Sequence, residues 1–294
     1  MHTNILNNLA RQVFNKNIDH FERIYGGMSN YNYFVVIEDN EYIFRIPLES
    51  SNIIVNRKNE KENLLKLKDK KYVLKTIYFD EDTGYKISEY VAGLSLNNIE
   101  DAKLPYNLVT TLLKDLHSTK LFNNYNNSFD ELLTLENLAK NNNVDYFNIK
   151  NELMKSPIAL LNKKEYTSCH CDCLPDNFIL DDDNNLYLLD WEFSENNDPI
   201  YDIACFGEND FQQALTLFKV YYPNYTFNEL ERLYYWRIYQ NLKWFNLALF
   251  KHLNGLSTEF KFDFEQISQY FIDSSLEMLK IINTLYSNEV DTCK

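Results

Sequence analysis

Ala92-Gly93 separates two stretches of this chain whose hydrophobic patterns belong to different kinds of secondary structure. Before it, Tyr31-Asn32-Tyr33-Phe34-Val35-Val36-Ile37 and Glu41-Tyr42-Ile43-Phe44-Arg45-Ile46 are rich in β-branched and aromatic residues and read as strands. Asp39-Asn40 between them is a natural tight turn. Pro47 ends the second strand, because it has no N–H to give a sheet ladder. Two more strands are predicted over 72–79 and 85–90, joined through Asp80-Glu81-Asp82-Thr83-Gly84. A short helix is predicted over 3–15, and a charged amphipathic helix over 56–69 with Asn56 as its cap. After Gly93, which reads as a hinge, the pattern is helical over 105–118, 128–141, 145–162, 207–221, 227–252 and 263–287. Strand signals in this second part are confined to Phe178-Ile179-Leu180 and Leu186-Tyr187-Leu188-Leu189, with a polar turn between. The pattern predicts an α+β, bilobal arrangement: a small β-rich lobe over 1–91 and a larger helical lobe over 92–294.

At 294 residues and 45% hydrophobic content the chain can bury a sizeable core, and six Gly with six Pro argue against disorder. A net charge of −14 disfavours nucleic acid as a partner, since phosphate binding wants a basic surface, and is compatible with a cationic substrate. The N-terminus lacks a basic segment followed by an apolar run, and no apolar run reaches the ~18 residues of a membrane span. The expected location is the cytoplasm. Five cysteines, an odd number, are a poor disulfide framework.

The polar residues around the 178–189 hairpin carry the chemistry. His170-Cys171-Asp172 is followed by Asn177, the hairpin leaves from Asn177, and Asp190 stands at its far end. A hairpin brings its ends together, so Asn177 and Asp190 are expected to be neighbours. An amide oxygen and a carboxylate suffice for Mg²⁺, which keeps several waters and binds beside nucleotide phosphates. Asp172 is placed to accept a hydroxyl proton, and His170 to hold the loop by hydrogen bonding. Together these residues form the polar kit of a kinase that moves a γ-phosphoryl group onto an alcohol. A competing reading puts Cys169, Cys171 and Cys173 on one face of a strand as a zinc site with a nearby His. The usual paired Cys-x-x-Cys spacing is missing, and small buried thiols serve equally well.

Upstream, Tyr25-Gly26-Gly27-Met28-Ser29-Asn30 joins the first two strands and could lay backbone N–H groups over phosphates, although a Gly-Gly pair there is commonly only a turn. Arg45 on the following strand could pair with phosphate oxygens. Glu60 on the next helix, or else Glu62, would orient it.

With these pieces assembled, the chain resembles the kinase-like phosphotransferases that include aminoglycoside kinases and choline or ethanolamine kinases, and within them the bacterial choline kinases. The matching segments are Gly26-Gly27-Met28-Ser29-Asn30, Arg45, Asn56-Arg57-Lys58-Asn59-Glu60, Ser88-Glu89-Tyr90-Val91, Leu116-His117, the His170–Asn177 loop, Asp190-Trp191-Glu192 and Asn197-Asp198-Pro199-Ile200-Tyr201-Asp202-Ile203-Ala204. The resemblance implies a protein-kinase-like fold, ATP phosphates under the Gly26–Asn30 loop, adenine against Glu89–Val91, Asp172 as catalytic base, and Mg²⁺ on Asn177 and Asp190. Arg45 departs from the Lys usual at that place among kinases, as it tends to in choline kinases, and Cys171 and Cys173 stand where other residues are usual.

Choline's quaternary ammonium has no N–H and is held by aromatic faces, helped by carboxylates. Trp191, Tyr201, Trp236, Tyr239 and Trp244 are the candidate rings, with Glu192, Asp198 and Asp202 as candidate charges. Trp236 and Trp244 are expected to share a helix face. An aromatic stripe on a helix is also ordinary core packing. Ethanolamine, thiamine or an aminoglycoside are alternative acceptors, and a catalytically inactive kinase-like binding module is the alternative of another class.

Overall fold

The computed structural model describes residues 2–25, 29–48, 51, 53–125, 127–208, 210–260 and 262–292. They pack as two compact units: Met1–Asp115 with Leu121–Asn124 and Asp172–Glu195, and Leu116–Lys120 with Tyr125–Cys171 and Asn196–Lys294.

The first unit opens with α1 (His2–Phe14) and an antiparallel sheet of β1 (His20–Ile24), β2 (Asn30–Ile37), β3 (Asn40–Pro47), β4 (Thr76–Phe79) and β5 (Lys86–Glu89), in the order β1-β2-β3-β5-β4. Alternation along β2 buries Tyr33, Val35 and Ile37. They pack with Phe44, Ile46 and Ile87 against Leu6, Leu9 and Ala10 of α1, which recur at helical spacing. Each such aliphatic side chain contributes roughly 1.5–3 kcal/mol on burial. The β2–β3 pairing sets Ile37 opposite Asn40. The turn residues are therefore Glu38 and Asp39, both left-handed (φ 48 and 62), one position earlier than the sequence indicates. Helix α2 (Arg57–Leu67) begins at Asn56, whose side chain accepts the Asn59 N–H. The strand expected from Tyr72 begins at Thr76 instead; the Tyr72 carbonyl accepts the Leu188 N–H at 2.9 Å.

The same unit contains a second sheet, β6 (Leu94–Ser95), β8 (Phe178–Leu180) and β9 (Leu186–Leu188), in the order β6-β8-β9. Gly93 leads into β6. A Cβ at Gly93 would lie 2.5 Å from the Leu180 carbonyl oxygen and 2.7 Å from Ile179 Cγ2. The glycine is needed for close approach of β6 to β8.

Helix α3 (Tyr106–His117) ends with two residues, Leu116 and His117, that belong to the second unit. That unit also holds α4 (Ser128–Ala139), α5 (Val144–Leu153), β7 (Thr167–Cys169), α6 (Pro199–Cys205), α7 (Phe211–Tyr221), α8 (Phe227–Leu253), α9 (Leu256–Phe260) and α10 (Phe264–Thr292). Strand β10 (Glu195–Asn197) pairs with β7. Helix α8 starts at a capping box in which Thr226 and Glu229 satisfy each other's backbone N–H. The helix expected over 145–162 stops at Leu153, because Pro157 cannot continue it, and a 3₁₀ turn Pro157–Leu160 follows. Helix α6 stands outside the expected set: it is seven residues long, capped by Asp198 and started by Pro199. No helix among the described residues is long and apolar enough to cross a membrane.

Candidate active site

The loop after β7 is built from its own backbone. Leu174 N–H donates to the Asp172 carbonyl at 2.8 Å, and Asn177 N–H to the Leu174 carbonyl at 2.9 Å, which rolls Pro175–Asn177 into a 3₁₀ turn. Asn177 Nδ2 then donates to the Asp172 carbonyl (2.8 Å) and to Asp172 Oδ2 (3.0 Å). The β8–β9 hairpin closes when Leu189 N–H reaches the Asn177 carbonyl at 2.8 Å. Asp190 comes next, in the left-handed region (φ 59, ψ 66), and turns the chain into Trp191–Phe193. The hairpin thus brings Asn177 to the base from which Asp190 departs, as its pattern predicts.

This donor set fits Mg²⁺. Asn177 directs its Nδ2 at Asp172, so Oδ1 is the atom it can offer a cation. Asp190 Oδ1 is buried with no hydrogen-bond partner among the described residues; Arg45 Nη1 faces it from 3.6 Å, beyond hydrogen-bond reach, so the oxygen keeps capacity for an ion.

A charged cluster lies beside Asp190 in the same unit. Arg45 grips Glu60 with both terminal nitrogens (2.6 and 2.9 Å) and donates to the Gly84 carbonyl at 3.2 Å. Lys86 Nζ is 3.2 Å from Glu60 Oε1, and Arg57 Nη1 reaches Glu60 Oε2 (3.1 Å) and Glu192 Oε2 (2.9 Å). Asp190 Oδ1 lies 3.6 Å from Arg45 Nη1. Burial pushes the Glu60 carboxyl up, but Arg45, Lys86 and Arg57 outweigh it and hold the group far below the usual carboxylate range. Glu192 goes the other way: burial and then Asp190 push it up against the pull of Arg45 and Arg57.

Of the two glutamates expected beside Arg45, the first, Glu60, is its partner. Other expected roles shift. Glu192, expected among the acceptor's carboxylates, is held by Arg57 and by Asn30 Nδ2 at 3.0 Å. Asn30, expected over phosphates, thereby gives its amide nitrogen to Glu192. The Ser29 carbonyl accepts from Ser51 Oγ (2.6 Å) and Leu48 N–H (3.1 Å). Glu89 closes β5 and Val91 follows two residues on. Gly26 and Gly27 lie outside the described residues. Arg57 and Lys86 carry roles that sequence reasoning missed. The Arg57–Glu60 spacing of three on α2 was the available signal.

In the second unit Asp202 anchors the start of the loop that follows β7. Its carboxylate accepts His170 N–H (2.8 Å) and Cys171 N–H (2.7 Å) and lies 3.0 Å from His117 Nε2; Tyr221 OH is 3.0 Å from His117 Nδ1. Burial raises the Asp202 carboxyl, and His117 with the peptide donors brings it below its ordinary value. Cys171 adopts φ 63, so Cys169, Cys171 and Cys173 do not alternate along a strand. His117, Cys169 and Asp202 present ligand atoms within 4.8 Å of one another. Zinc would need a thiolate, whereas burial pushes the Cys169 thiol well up and it donates to the Asn197 carbonyl at 3.4 Å. The grouping is a hydrogen-bond network.

The structure brings Tyr201, Trp236 and Tyr239 together, with ring centroids 5.1, 5.5 and 6.0 Å apart and edges set against faces. All are buried, so these rings fill one another's faces. Trp236 Nε1 donates to Asp198 Oδ2 at 2.6 Å, Arg232 donates to both oxygens of Asp198, and Tyr239 OH donates to Glu131. Asp198 is thus already matched by a cation and an indole. Trp244, half-buried on α8, lies beside Lys243 Nζ at 5.9 Å from its ring centre. Trp191 belongs to the first unit, stacked on Tyr72 with Nε1 donating to the Leu188 carbonyl.

The sequence profile described as the phosphotransferase enzyme family matches residues 20–236. Protein LicA of Haemophilus influenzae is 26% identical over 249 residues, 78% of this chain and 73% of that protein. The crystal structure of choline kinase LicA from Streptococcus pneumoniae superposes with a TM-score of 0.78 at 25% identity, covering 95% of this chain and 99% of the other. A LicA structure in complex with AMP gives 0.77 at the same identity and coverage.

Proposed function

Because this chain belongs to the phosphotransferase enzyme family, has its α+β, protein-kinase-like fold and is a phosphotransferase with an alcohol group as acceptor, we propose that it moves the γ-phosphoryl group of ATP onto the hydroxyl of a small cationic amino alcohol, choline before all others. The observation that carries the phosphoryl-transfer reading is the Asp172–Asn177–Asp190 arrangement at the foot of the β8–β9 hairpin. Asp172 receives the acceptor's hydroxyl proton. Asn177 donates to Asp172 Oδ2 and so fixes the orientation of the carboxylate. Asn177 Oδ1 and Asp190 would hold Mg²⁺, which when bound neutralises charge on the phosphate oxygens. Glu60 holds Arg45 in one rotamer and keeps it charged. Positioning and charge neutralisation supply most of the rate enhancement in such transfers.

Choline is supported by likeness to LicA, one of whose solved structures is described as a choline kinase, over nearly the whole chain. ATP consumption by the purified protein, screened with choline, ethanolamine, thiamine and kanamycin as acceptors, is expected to be fastest with choline. Strong turnover of kanamycin with none of choline would overturn the acceptor.

A further inference from the structure

We infer that Asn63 of α2 and Asn124 are positioning residues for Asp190: they clamp the Ser194 carbonyl and so hold the turn that presents the Asp190 carboxylate to a divalent cation. This rests on the metal reading above. Asp190 is left-handed (φ 59, ψ 66), and its Oδ1 is buried without a hydrogen-bond partner among the described residues. Both conditions cost energy, and a strained residue keeps such a conformation only where its surroundings leave the chain no alternative. The chain that follows Asp190 supplies that restraint.

It is a single 3₁₀ turn, Trp191–Phe193, and Ser194 closes it. The Ser194 N–H and Oγ both donate to the Trp191 carbonyl, at 3.2 and 2.7 Å. The Ser194 carbonyl in turn accepts from two amides at once, Asn63 Nδ2 and Asn124 Nδ2, each at 2.8 Å. Asn63 Nδ2 also lies 3.1 Å from Ser194 Oγ and 3.2 Å from Asn124 Oδ1, so the three residues lock one another. Asn63 is 1% exposed. An amide buried to that degree costs energy unless its hydrogens are used, and Ser194 with Asn124 uses both. Glu192, inside the turn, is held as well, by Arg57 and Asn30. That contact with Arg57 is ionic, so its balance changes when another charge arrives nearby. The Asn63–Asn124–Ser194 clamp is neutral and offers an arriving ion no charge to rebalance. Arg57, Glu60 and Asn63 follow one another at a spacing of three on α2, so the helix that carries the partner of Arg45 also carries the clamp. The metal carboxylate is thereby tied to α2 as well as to the hairpin.

The test is titration of Mn²⁺ onto the wild type, N63A and N124A, each with a non-hydrolysable ATP analogue bound, followed by the electron paramagnetic resonance signal of the free ion. N63A is expected to bind Mn²⁺ about 10-fold more weakly, the worth of one buried hydrogen bond, and N124A about 3-fold, since one amide remains on the carbonyl. Affinity for the analogue without metal should stay within about twofold of wild type in both. ATP consumption by N63A should recover toward the wild-type rate as Mg²⁺ is raised, a change in the KM for metal and not in kcat. Asn141→Ala removes a comparable amide pair in the second unit, Asn141 Nδ2 to Asn246 Oδ1 at 2.9 Å, and is the structural control. It should lower stability and leave Mn²⁺ affinity unchanged. If N63A does not fold, N124A decides alone. Wild-type Mn²⁺ affinity in the folded variants, or an equal loss in Asn141→Ala, would overturn the inference and leave the metal reading in place. A wild-type protein that binds no Mn²⁺ would remove the metal reading and this inference with it.

Discussion

Glu60 and Asp202 are both fully buried carboxylates held below their ordinary range, yet the two units achieve this by different means. Around Glu60 the work is done by three full charges, Arg45, Arg57 and Lys86. Around Asp202 it is done first by His117 and then by His170, with the peptide N–H groups of residues 170 and 171 fixing the carboxylate in place. Fixed peptide dipoles bind a carboxylate and do nothing else; they set a backbone in place. A cluster of ions is costly to bury and gains only through its partners, so any new charge nearby changes its balance. The first arrangement suits a site that receives a charged ligand. The second suits a scaffold, here one whose anchored residues directly precede Asp172 in the chain.

The strongest attempt to break this contrast is Asp172→Ala. With chemistry assigned to the first unit, it should lower turnover by roughly 10²- to 10⁴-fold. ATP affinity should stay near wild type in a direct titration; wild-type turnover would end the assignment of Asp172 as base. Next comes Glu60→Gln, which leaves three cations facing a neutral amide. Denaturant unfolding should show a loss of about 3–5 kcal/mol, as when one partner of a buried ionic group is removed. The matching Asp202→Asn keeps one acceptor oxygen and should cost about 1–3 kcal/mol by the same measurement. A larger loss for Asp202→Asn than for Glu60→Gln would reverse the comparison.

Acid offers a finer test. Glu60 and Asp202 are depressed in the folded protein, so their stabilisation is complete above the unfolded carboxylate values of about 3.9–4.3 and is lost as pH falls through the folded ones. Glu192 is raised, and its contribution has the opposite sign, weakening as pH rises from the unfolded value toward the folded one. Urea midpoints should therefore fall between pH 5 and pH 3, and fall less steeply in Glu60→Gln. An equal slope in that variant would show that Glu60 is not a source of the acid sensitivity. The smallest effect concerns Cys171, whose φ of 63 is unfavourable for any residue but glycine. Cys171→Gly should stay within about 1 kcal/mol of wild type by thermal unfolding, while β-branched Cys171→Val should lose more than about 2 kcal/mol. Similar losses for the two would remove backbone strain as the explanation.

Beyond the α+β fold class and the family, what the sequence disclosed was local. The β2–β3 turn, the Asn56 cap and the hairpin that joins Asn177 to Asp190 are each written within a few residues, and the structure contains them. Helix α6 and strand β1 escaped because neither has enough residues to show a period: α6 has seven, and β1 reads His-Phe-Glu-Arg-Ile with two apolar positions in five. The charged cluster escaped for another reason. Asn30 and Glu192 are 162 positions apart, and Arg57 and Glu192 are 135 apart, so no spacing rule relates them. Glu192 could be recognised as a polar neighbour of Asp190, but only the packed unit shows which arginine it belongs to. The aromatics teach the converse. Residue type singles out Trp191, Tyr201, Trp236, Tyr239 and Trp244 alike, and only the packed unit shows that Tyr201, Trp236 and Tyr239 set edges against one another's faces.

Gly93 carries one more consequence. The Leu180 carbonyl occupies the space where any side chain at position 93 would begin, 2.5 Å from its first carbon. Every substitution there starts by prising β6 from β8, on the strand that directly follows the 3₁₀ turn bearing Asn177. A mutational survey of the chain would therefore find a position with no tolerated alternative, because what it contributes is the absence of an atom.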